Sequence, residues 1–154
     1  MSFLPRDPAY ERRVRASFAR QAAMAALGAE LERVAPGEVD VRLAFRAELT
    51  QQHGFLHAGV VSAIMDSACG YAALSLMDPE AAVLSVEFKV QLLAPARGAW
   101  FRATGKVVRP GRTLTVVTGE CRAFAEGGPG DGGELVALLS GTMMAVRDRP
   151  ALRD

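Results

Sequence analysis

The sequence predicts an α+β protein in which one antiparallel β-sheet wraps around a single central α-helix, with an extra helix at the N-terminus. Two observations lead to this fold class. Residues 58–77 form an apolar run with no Lys, Arg or Glu, and Asp66 is its one carboxylate. Residues 38–49 and 83–93 alternate between apolar and polar side chains, which is typical of strands with one solvent-facing side.

The apolar run predicts a helix that is covered on nearly all sides, because its apolar residues surround the axis instead of forming a stripe. A membrane span is the obvious rival. An Asp near the centre of a span costs about 2.5 to 3.5 kcal/mol, and several Gly and Ser residues further dilute the hydrophobicity. The run is therefore interpreted as the core helix, and Asp66 as the one charge it buries. A buried carboxylate needs hydrogen-bond partners, a raised pKa or a chemical role.

Before the core helix, Asp7 and Pro8 predict the start of a helix that continues to about residue 27 and ends at Gly28. Residues 1–27 are thus expected to form a helical extension, with Arg12, Arg13, Arg15 and Arg20 largely outside. Strands are expected at residues 29–35 and 38–49, joined by a type II turn at Pro36 and Gly37.

After the core helix, four consecutive strands are expected to form an antiparallel meander at residues 83–93, 99–108, 112–126 and 134–147. In the first of them, Leu84, Val86 and Phe88 are expected on one side and Ser85 on the other. A glycine-rich run, residues 127–133, is expected to connect the last two strands. Residues 28–147 are therefore predicted to form the main domain, and residues 148–154 a C-terminal tail.

Composition excludes several classes of function. A chain of 154 residues with 50% hydrophobic and 23% charged residues is typical of one globular domain, and a net charge of +1 gives no bulk attraction to nucleic acid. Two distant cysteines and two histidines predict reduced thiols, no metal site and no cofactor. The first 13 residues lack the apolar core of a signal peptide, which favours a cytoplasmic location.

A motif at the start of the core helix carries a family resemblance. His57, Ala58 and Gly59, followed by Asp66 nine residues after the histidine, resemble the HGG-x6-D signature of the PaaI-like hotdog acyl-CoA thioesterases. Ala58 stands where the family usually has glycine. Similar residues also occur across residues 28–146, at residues 35–37, 52–54, 85–89, 95 and 109–112.

The resemblance implies a hotdog fold and the hydrolysis of an acyl-CoA, aromatic or medium-chain, to a free acid and coenzyme A. It implies that Asp66 is general base or nucleophile and that the Ala58 backbone N–H is the oxyanion donor. Gln51 would help to position water or the carbonyl. Ser85 resembles a position that in relatives lies near the carboxylate across the subunit interface. His57 is a catalytic candidate, although a hydrogen bond at the helix entry is the favoured role.

Substrate binding and assembly also follow from the resemblance. Gly59 is expected at the substrate, and relatives complete the pocket with a second subunit, so a homodimer or a homotetramer formed as a dimer of dimers is expected. Residues 89–122 contain seven basic residues and one acid. From this local excess, Arg109 and Arg112 beside a tight turn are the preferred contacts for coenzyme A phosphates.

Three alternatives remain at the level of sequence. A hotdog dehydratase would need a histidine paired with the carboxylate in a different motif. A non-catalytic acyl-CoA-binding module would leave Asp66 unexplained. A nucleic-acid binder is disfavoured, because the basic stretch lacks an array of exposed aromatic residues. Trp100 and Phe101 are the only aromatic residues between Lys89 and Arg122.

Overall fold

The structure is a computed structural model that describes residues 3–128, 132–149, 151, 152 and 154. It contains three α-helices, a short 3-10 turn at Ala47–Leu49 and six strands within these residues. The helices are α1 (Tyr10–Ala19), α2 (Ala22–Leu27) and α3 (Ala58–Leu74). The strands are β1 (Ala29–Ala35), β2 (Glu38–Ala44), β3 (Ala82–Leu92), β4 (Trp100–Arg109), β5 (Leu114–Phe124) and β6 (Glu134–Val146). None of the described helices is long and apolar enough to cross a membrane.

The six strands form one antiparallel sheet in the order β1-β2-β4-β5-β6-β3, and α3 packs against it, which confirms the predicted fold class. The predicted meander of four consecutive strands is wrong for β3. This strand pairs with β6 at the sheet edge, while β4 pairs with β2. The loop at residues 93–99 carries the chain across the start of α3, where the N–H of Leu56 donates to Ala96 O at 3.2 Å.

Two opposed glycines let α3 lie directly on the sheet. Gly105 of β4 pairs with Gly119 of β5, and a Cβ at Gly105 would lie 2.3 Å from the carbonyl carbon of Ala68 in the helix backbone. A Cβ at Gly119 would lie 2.9 Å from Cys69 Sγ. The small side chains of α3 on this side, including Ala68, Cys69 and Ala72, are fully buried. The core thus depends on close approach of a helix backbone to two strands.

The N-terminal extension forms two helices, so the predicted single helix to residue 27 is wrong. The helix is interrupted at Arg20 and Gln21, where Gln21 takes an extended conformation (φ −79°, ψ 95°). The break is stabilised from outside the helix, because Ser67 Oγ of α3 donates to Gln21 Oε1 at 3.0 Å. Gly28 ends α2 in the left-handed conformation, as the sequence predicted. Asp7 receives the N–H of Ala9 at 2.8 Å one turn before the helix begins.

Arg13 is buried against the end of α3, which corrects its predicted surface position. Its guanidinium donates to the carbonyl oxygens of Leu74, Met77 and Asp78 at 2.9, 3.1 and 2.7 Å. Leu74 is the last residue of α3, and Met77 and Asp78 lie in the turn that follows it. Asp7 lies 3.4 Å from the guanidinium and balances its charge. The N-terminal extension is therefore attached to the core helix by a cap that the chain supplies from about sixty residues away.

The second predicted strand is shorter than expected, and parts of three other predicted segments lie outside the described residues. The strand predicted to reach residue 49 ends at Ala44, because its antiparallel partner β4 begins at Trp100, which pairs with Ala44. The glycine-rich run at 127–133 includes residues 129–131, which lie outside the described residues. Residues 1 and 2 of the predicted extension and residues 150 and 153 of the predicted tail also lie outside them.

Gly105→Ala is expected to lower the free energy of unfolding by at least about 1 to 3 kcal/mol, because the added methyl group would overlap the backbone of α3. Urea unfolding followed by circular dichroism measures the change. Gly70→Ala is the matched control, since a Cβ at Gly70 meets no atom within 4 Å and alanine is the better helix former. Equal stabilities of the two variants would contradict the packing described here.

Candidate active site

A β-bulge places Ser85 on the helix-facing side of β3. The pairing of β3 with β6 shifts between Ser85 and Glu87, so Val86 is an extra residue. Ser85 and Phe88 therefore pair with Met143 and Gly141, which are both buried on the core side of β6, while the predicted alternation had put Ser85 and Phe88 on opposite sides. That prediction is wrong because one inserted residue reverses the order of the faces.

Ser85 contacts Asp66 directly. Ser85 Oγ donates to Asp66 Oδ1 at 2.7 Å, and Met143 Sδ lies 3.3 Å from the same hydroxyl. This contact forms within one chain. The hydroxyl fixes one carboxylate oxygen and leaves Oδ2 available to another group.

Asp66 is half-buried, not fully buried as the sequence predicted. The fully buried carboxylates of the described residues are Asp7 and Asp40, and both have partners: Asp7 lies beside Arg13, and Asp40 accepts from Arg33 and Thr104. Asp66 instead opens onto a cavity of about 110 Å³ between α3 and β3. A carboxylate with one fixed oxygen and access to a cavity is suited to chemistry more than to structure.

The start of α3 leaves one backbone donor free. His57 is the N-cap, and its Nδ1 accepts the N–H of Gly59 at 2.8 Å. The N–H groups of Val60 and Val61 donate to the carbonyl of His57. In the hydrogen bonds of the described residues, the N–H of Ala58 has no acceptor. The helix dipole adds partial positive charge at this position, so the group can stabilise an oxyanion.

Gln51 lies at the same cavity as Ala58. This cavity, of about 390 Å³, is otherwise apolar, with Phe55, Leu92 and Pro95 among its walls. The side-chain carbonyl of Gln51 accepts the backbone N–H of His53, which holds the loop and leaves the amide NH₂ of Gln51 as a donor. His53 is thus a partner within the loop.

The two groups of candidate residues do not meet within one chain. Asp66 and Ser85 line one cavity, whereas Ala58 and Gln51 line the other. Asp66 follows Ala58 by eight positions, which corresponds to about 12 Å along a helix axis and about 80° around it. A single thioester cannot reach both groups in one copy of the chain.

The predicted phosphate contacts lie far from Ala58 of the same chain. Arg109 and Arg112 are exposed at the turn between β4 and β5. Two hydrogen bonds connect this end of β4 to the C-terminal end of α3. The N–H of Val107 donates to Gly37 O, and the N–H of Gly37 donates to Ser75 Oγ just after the helix ends. A helix of 17 residues is about 25 Å long, so this turn and Ala58 are at opposite ends of α3. Arg97, by contrast, lies 4.5 Å from the ring centre of Phe55 at the Ala58 cavity.

Sequence reasoning identified Asp66 and Ser85 but missed the other residues that line this cavity, which are Gln21, Ser67, Gly70, Tyr71, Val83 and Asp154. Gln21 lies in a segment that looked like continuous helix, so no pattern distinguished it. Gly70 could have been noticed, because glycine in a helix interior is costly and usually has a reason.

Both cysteines are buried free thiols. Burial, with a further contribution from the charge of Asp66, raises the pKa of Cys69 to about 12. Burial also raises the pKa of Cys121 to about 12. Neither thiol is therefore a nucleophile at neutral pH.

Comparison with known proteins identifies the family. The sequence model of the thioesterase superfamily matches residues 53–128. The structure of a thioesterase family protein from Silicibacter pomeroyi is 52% identical, with a TM-score of 0.85 over 90% of this chain and 98% of that one. The PaaI protein of E. coli is 21% identical, with a TM-score of 0.78 over 89% and 93% of the two chains, and shares the fold.

Two proteins of Saccharolobus solfataricus with provisional esterase names are also similar. They are 35% and 32% identical over 81 and 91 residues, or 53% and 59% of this chain. The chain spans 57% and 60% of the lengths of these curated relatives.

The chain belongs to the thioesterase superfamily. Its fold is the hotdog fold shared with these structures, which confirms the fold and the superfamily expected from the resemblance.

Neither thiol is expected to react with a disulfide reagent such as DTNB at pH 8 while the protein is folded, because a pKa of about 12 leaves almost no thiolate. Two thiols per chain are expected to react after denaturation in guanidinium chloride. Absorbance at 412 nm measures both states. Rapid reaction of the native protein would contradict the burial of Cys69 and Cys121.

Proposed function

We propose that the protein is an acyl-CoA thioesterase that hydrolyses an aromatic or medium-chain acyl-CoA to the free acid and coenzyme A. The observation that carries the proposal is the pair of half-sites: a carboxylate fixed by Ser85 in one cavity, and the free N–H of Ala58 beside Gln51 in the other. Thioester hydrolysis needs both a base or nucleophile and an oxyanion donor. Membership of the thioesterase superfamily supports the same reaction.

The active unit we propose is a homodimer in which each site takes Asp66 and Ser85 from one copy and Ala58 and Gln51 from the other. The free edge of β3 supports this assembly. This edge strand also exposes apolar side chains, with Leu84, Val86 and Phe88 at 44%, 53% and 42% exposure, which an unpaired strand rarely leaves in water. Two such dimers would form the tetramer expected from the sequence.

In the proposed reaction, Asp66 acts either as general base or as nucleophile. As base, it removes a proton from water, which attacks the thioester carbonyl carbon. As nucleophile, its carboxylate attacks that carbon and water then hydrolyses the mixed anhydride. In both cases the C–S bond breaks, the coenzyme A thiolate gains a proton, and the Ala58 N–H stabilises the oxyanion. Gln51 positions the carbonyl or water, Ser85 holds Asp66, and His57 caps the helix that presents Ala58.

Binding of coenzyme A is assigned to the start of α3 and to basic side chains. Gly59 lets the substrate approach the helix, since it has no side chain beside His57. Arg109 and Arg112 remain candidates for the phosphates, and Arg97, which stacks on the ring of Phe55 beside the Ala58 cavity, is an additional one. We place the reaction in the cytoplasm, as two reduced cysteines favour. A dehydratase is less well supported, because His57 pairs with Gly59 and Asp66 with Ser85.

Asp66→Asn is expected to lower kcat for thioester hydrolysis by at least roughly 10²-fold to 10⁴-fold, because the amide keeps the size of the side chain but cannot act as base or nucleophile. Release of free thiol and the melting temperature are measured on the same sample. Asp40→Asn is the matched control. It removes the charge that pairs with Arg33, so it should lower stability and preserve turnover of the folded protein. A folded, dimeric Asp66→Asn protein with near-normal turnover would end this mechanism.

Changes at Ala58 test the oxyanion donor. Ala58→Gly keeps the N–H and should retain activity within about tenfold, or about 1.4 kcal/mol of barrier. Ala58→Pro removes the N–H and should cost about 10²-fold to 10³-fold in kcat. Proline is favoured at the first helical position, and His57 already has the extended conformation that precedes proline, so the variant should fold. Equal activity in the two variants would show that another group is the donor.

Mixing the two inactive variants tests the shared site. Refolding Asp66→Asn with Ala58→Pro at equal concentration should restore about a quarter of wild-type activity, because half of the randomly formed dimers are mixed and each has one intact site. Each variant refolded alone serves as the control. Sedimentation that shows an active monomer, or mixed dimers with no gain, would refute the shared site.

A further inference from the structure

Gly70 is the helix glycine for which the packing of the chain gives no reason. At Gly105 and Gly119 the absence of a side chain is required by contact between helix and sheet, whereas a Cβ at Gly70 would meet no atom within 4 Å. Glycine weakens a helix interior relative to alanine. The space beside Gly70 is therefore kept open at a cost to the helix.

This space belongs to the cavity of Asp66. Gly70 follows Asp66 by four residues, so the two lie one above the other on the same face of α3. Both line the cavity of about 110 Å³, whose other walls are Gln21, Ser67, Tyr71, Val83, Ser85 and Asp154. An acyl group whose carbonyl carbon is attacked beside Asp66 would have its next carbon atoms within one helical turn of that point.

The N-terminal extension supplies another wall of the same cavity. Gln21, at the break between α1 and α2, accepts a hydrogen bond from Ser67 Oγ at 3.0 Å and lines the cavity. The extension is held there by the contact of Ser17 Oγ with Tyr71 Oη at 3.3 Å and by the Phe18 ring, 5.6 Å from that of Tyr71. Gln21 is thus fixed in place although it lies outside the sheet and α3.

We propose that the acyl group occupies the space beside Gly70, and that Gly70 and Gln21 set the largest acyl group the enzyme accepts. The proposal rests on the proposed thioesterase function. Gly70 provides room next to the reacting carbon, and Gln21 limits the depth of that room. The substrates are therefore compact acyl groups, and the N-terminal extension takes part in their selection.

The test is the chain-length profile of the full-length protein. The ratio of kcat/KM for hexanoyl-CoA to that for acetyl-CoA is measured by thiol release, within a series from acetyl-CoA to octanoyl-CoA. Gly70→Val should lower this ratio by about tenfold or more, and Gln21→Ala should raise it by about threefold or more, since each methylene in a pocket is worth at most about 10-fold to 200-fold. Ala23→Val, at an exposed position of α2, adds the same bulk outside the cavity and should leave the ratio unchanged.

Three results would overturn the inference. A ratio within twofold of wild type in both variants would show that neither residue limits the acyl group. Loss of the dimer in Gly70→Val, seen by sedimentation, would show that the space is filled by the second copy. If the wild-type protein releases no thiol from any acyl-CoA of the series, the proposed function and this inference are refuted together. If the wild-type protein is active but the chain-length profiles of the variants equal its own, the inference alone is refuted.

Discussion

The contact between the backbone of α3 and Gly105 of β4 is the constraint on which the rest of the structure depends. Because neither Gly105 nor the opposed Gly119 has a side chain, the helix lies directly on the middle strands and the sheet curves around it. The side of α3 that faces these glycines, at Ala68 and Cys69, is fully buried. Asp66, two residues before Ala68 and thus about 200° away around the helix, is left on the side that the middle strands do not cover. The packing of the core therefore decides where a functional carboxylate can lie.

The fold class could be predicted because it depends on patterns that repeat over many residues. The apolar run identified α3, and the alternation of side chains identified the strands. Features decided by one residue or by a distant contact were not predictable. The bulge at Val86 reverses the faces of β3 without changing the composition of the strand. Arg13 looked like a surface residue, because its partners are carbonyl oxygens at the end of a helix about sixty residues further along the chain.

The same distinction applies to the site. The motif located Asp66, Ala58 and His57, since a short signature records local geometry at a helix start. It could not indicate that Ser85 reaches Asp66 within one chain, which depends on the bulge, or that Gln21 lies at the same cavity, which depends on a break in the N-terminal helix. The basic excess between residues 89 and 122 was visible in the sequence, but its members are distributed over both ends of the sheet, with Arg97 at one end and Arg109 at the other.

In the proposed dimer, the spacing of the motif has a meaning different from the one its sequence implies. Residues eight positions apart in a catalytic signature are expected to act together, yet Ala58 and Asp66 lie about 12 Å apart along one helix and line separate cavities. Ala58 of one copy would instead act with Asp66 of the second copy, and Asp66 of the first copy with Ala58 of the second. The six residues between Gly59 and Asp66 then fix the distance between two equivalent sites related by a two-fold axis. An insertion of one residue there would rotate Asp66 by about 100° relative to Ala58 and disrupt both sites at once, without removing any catalytic group.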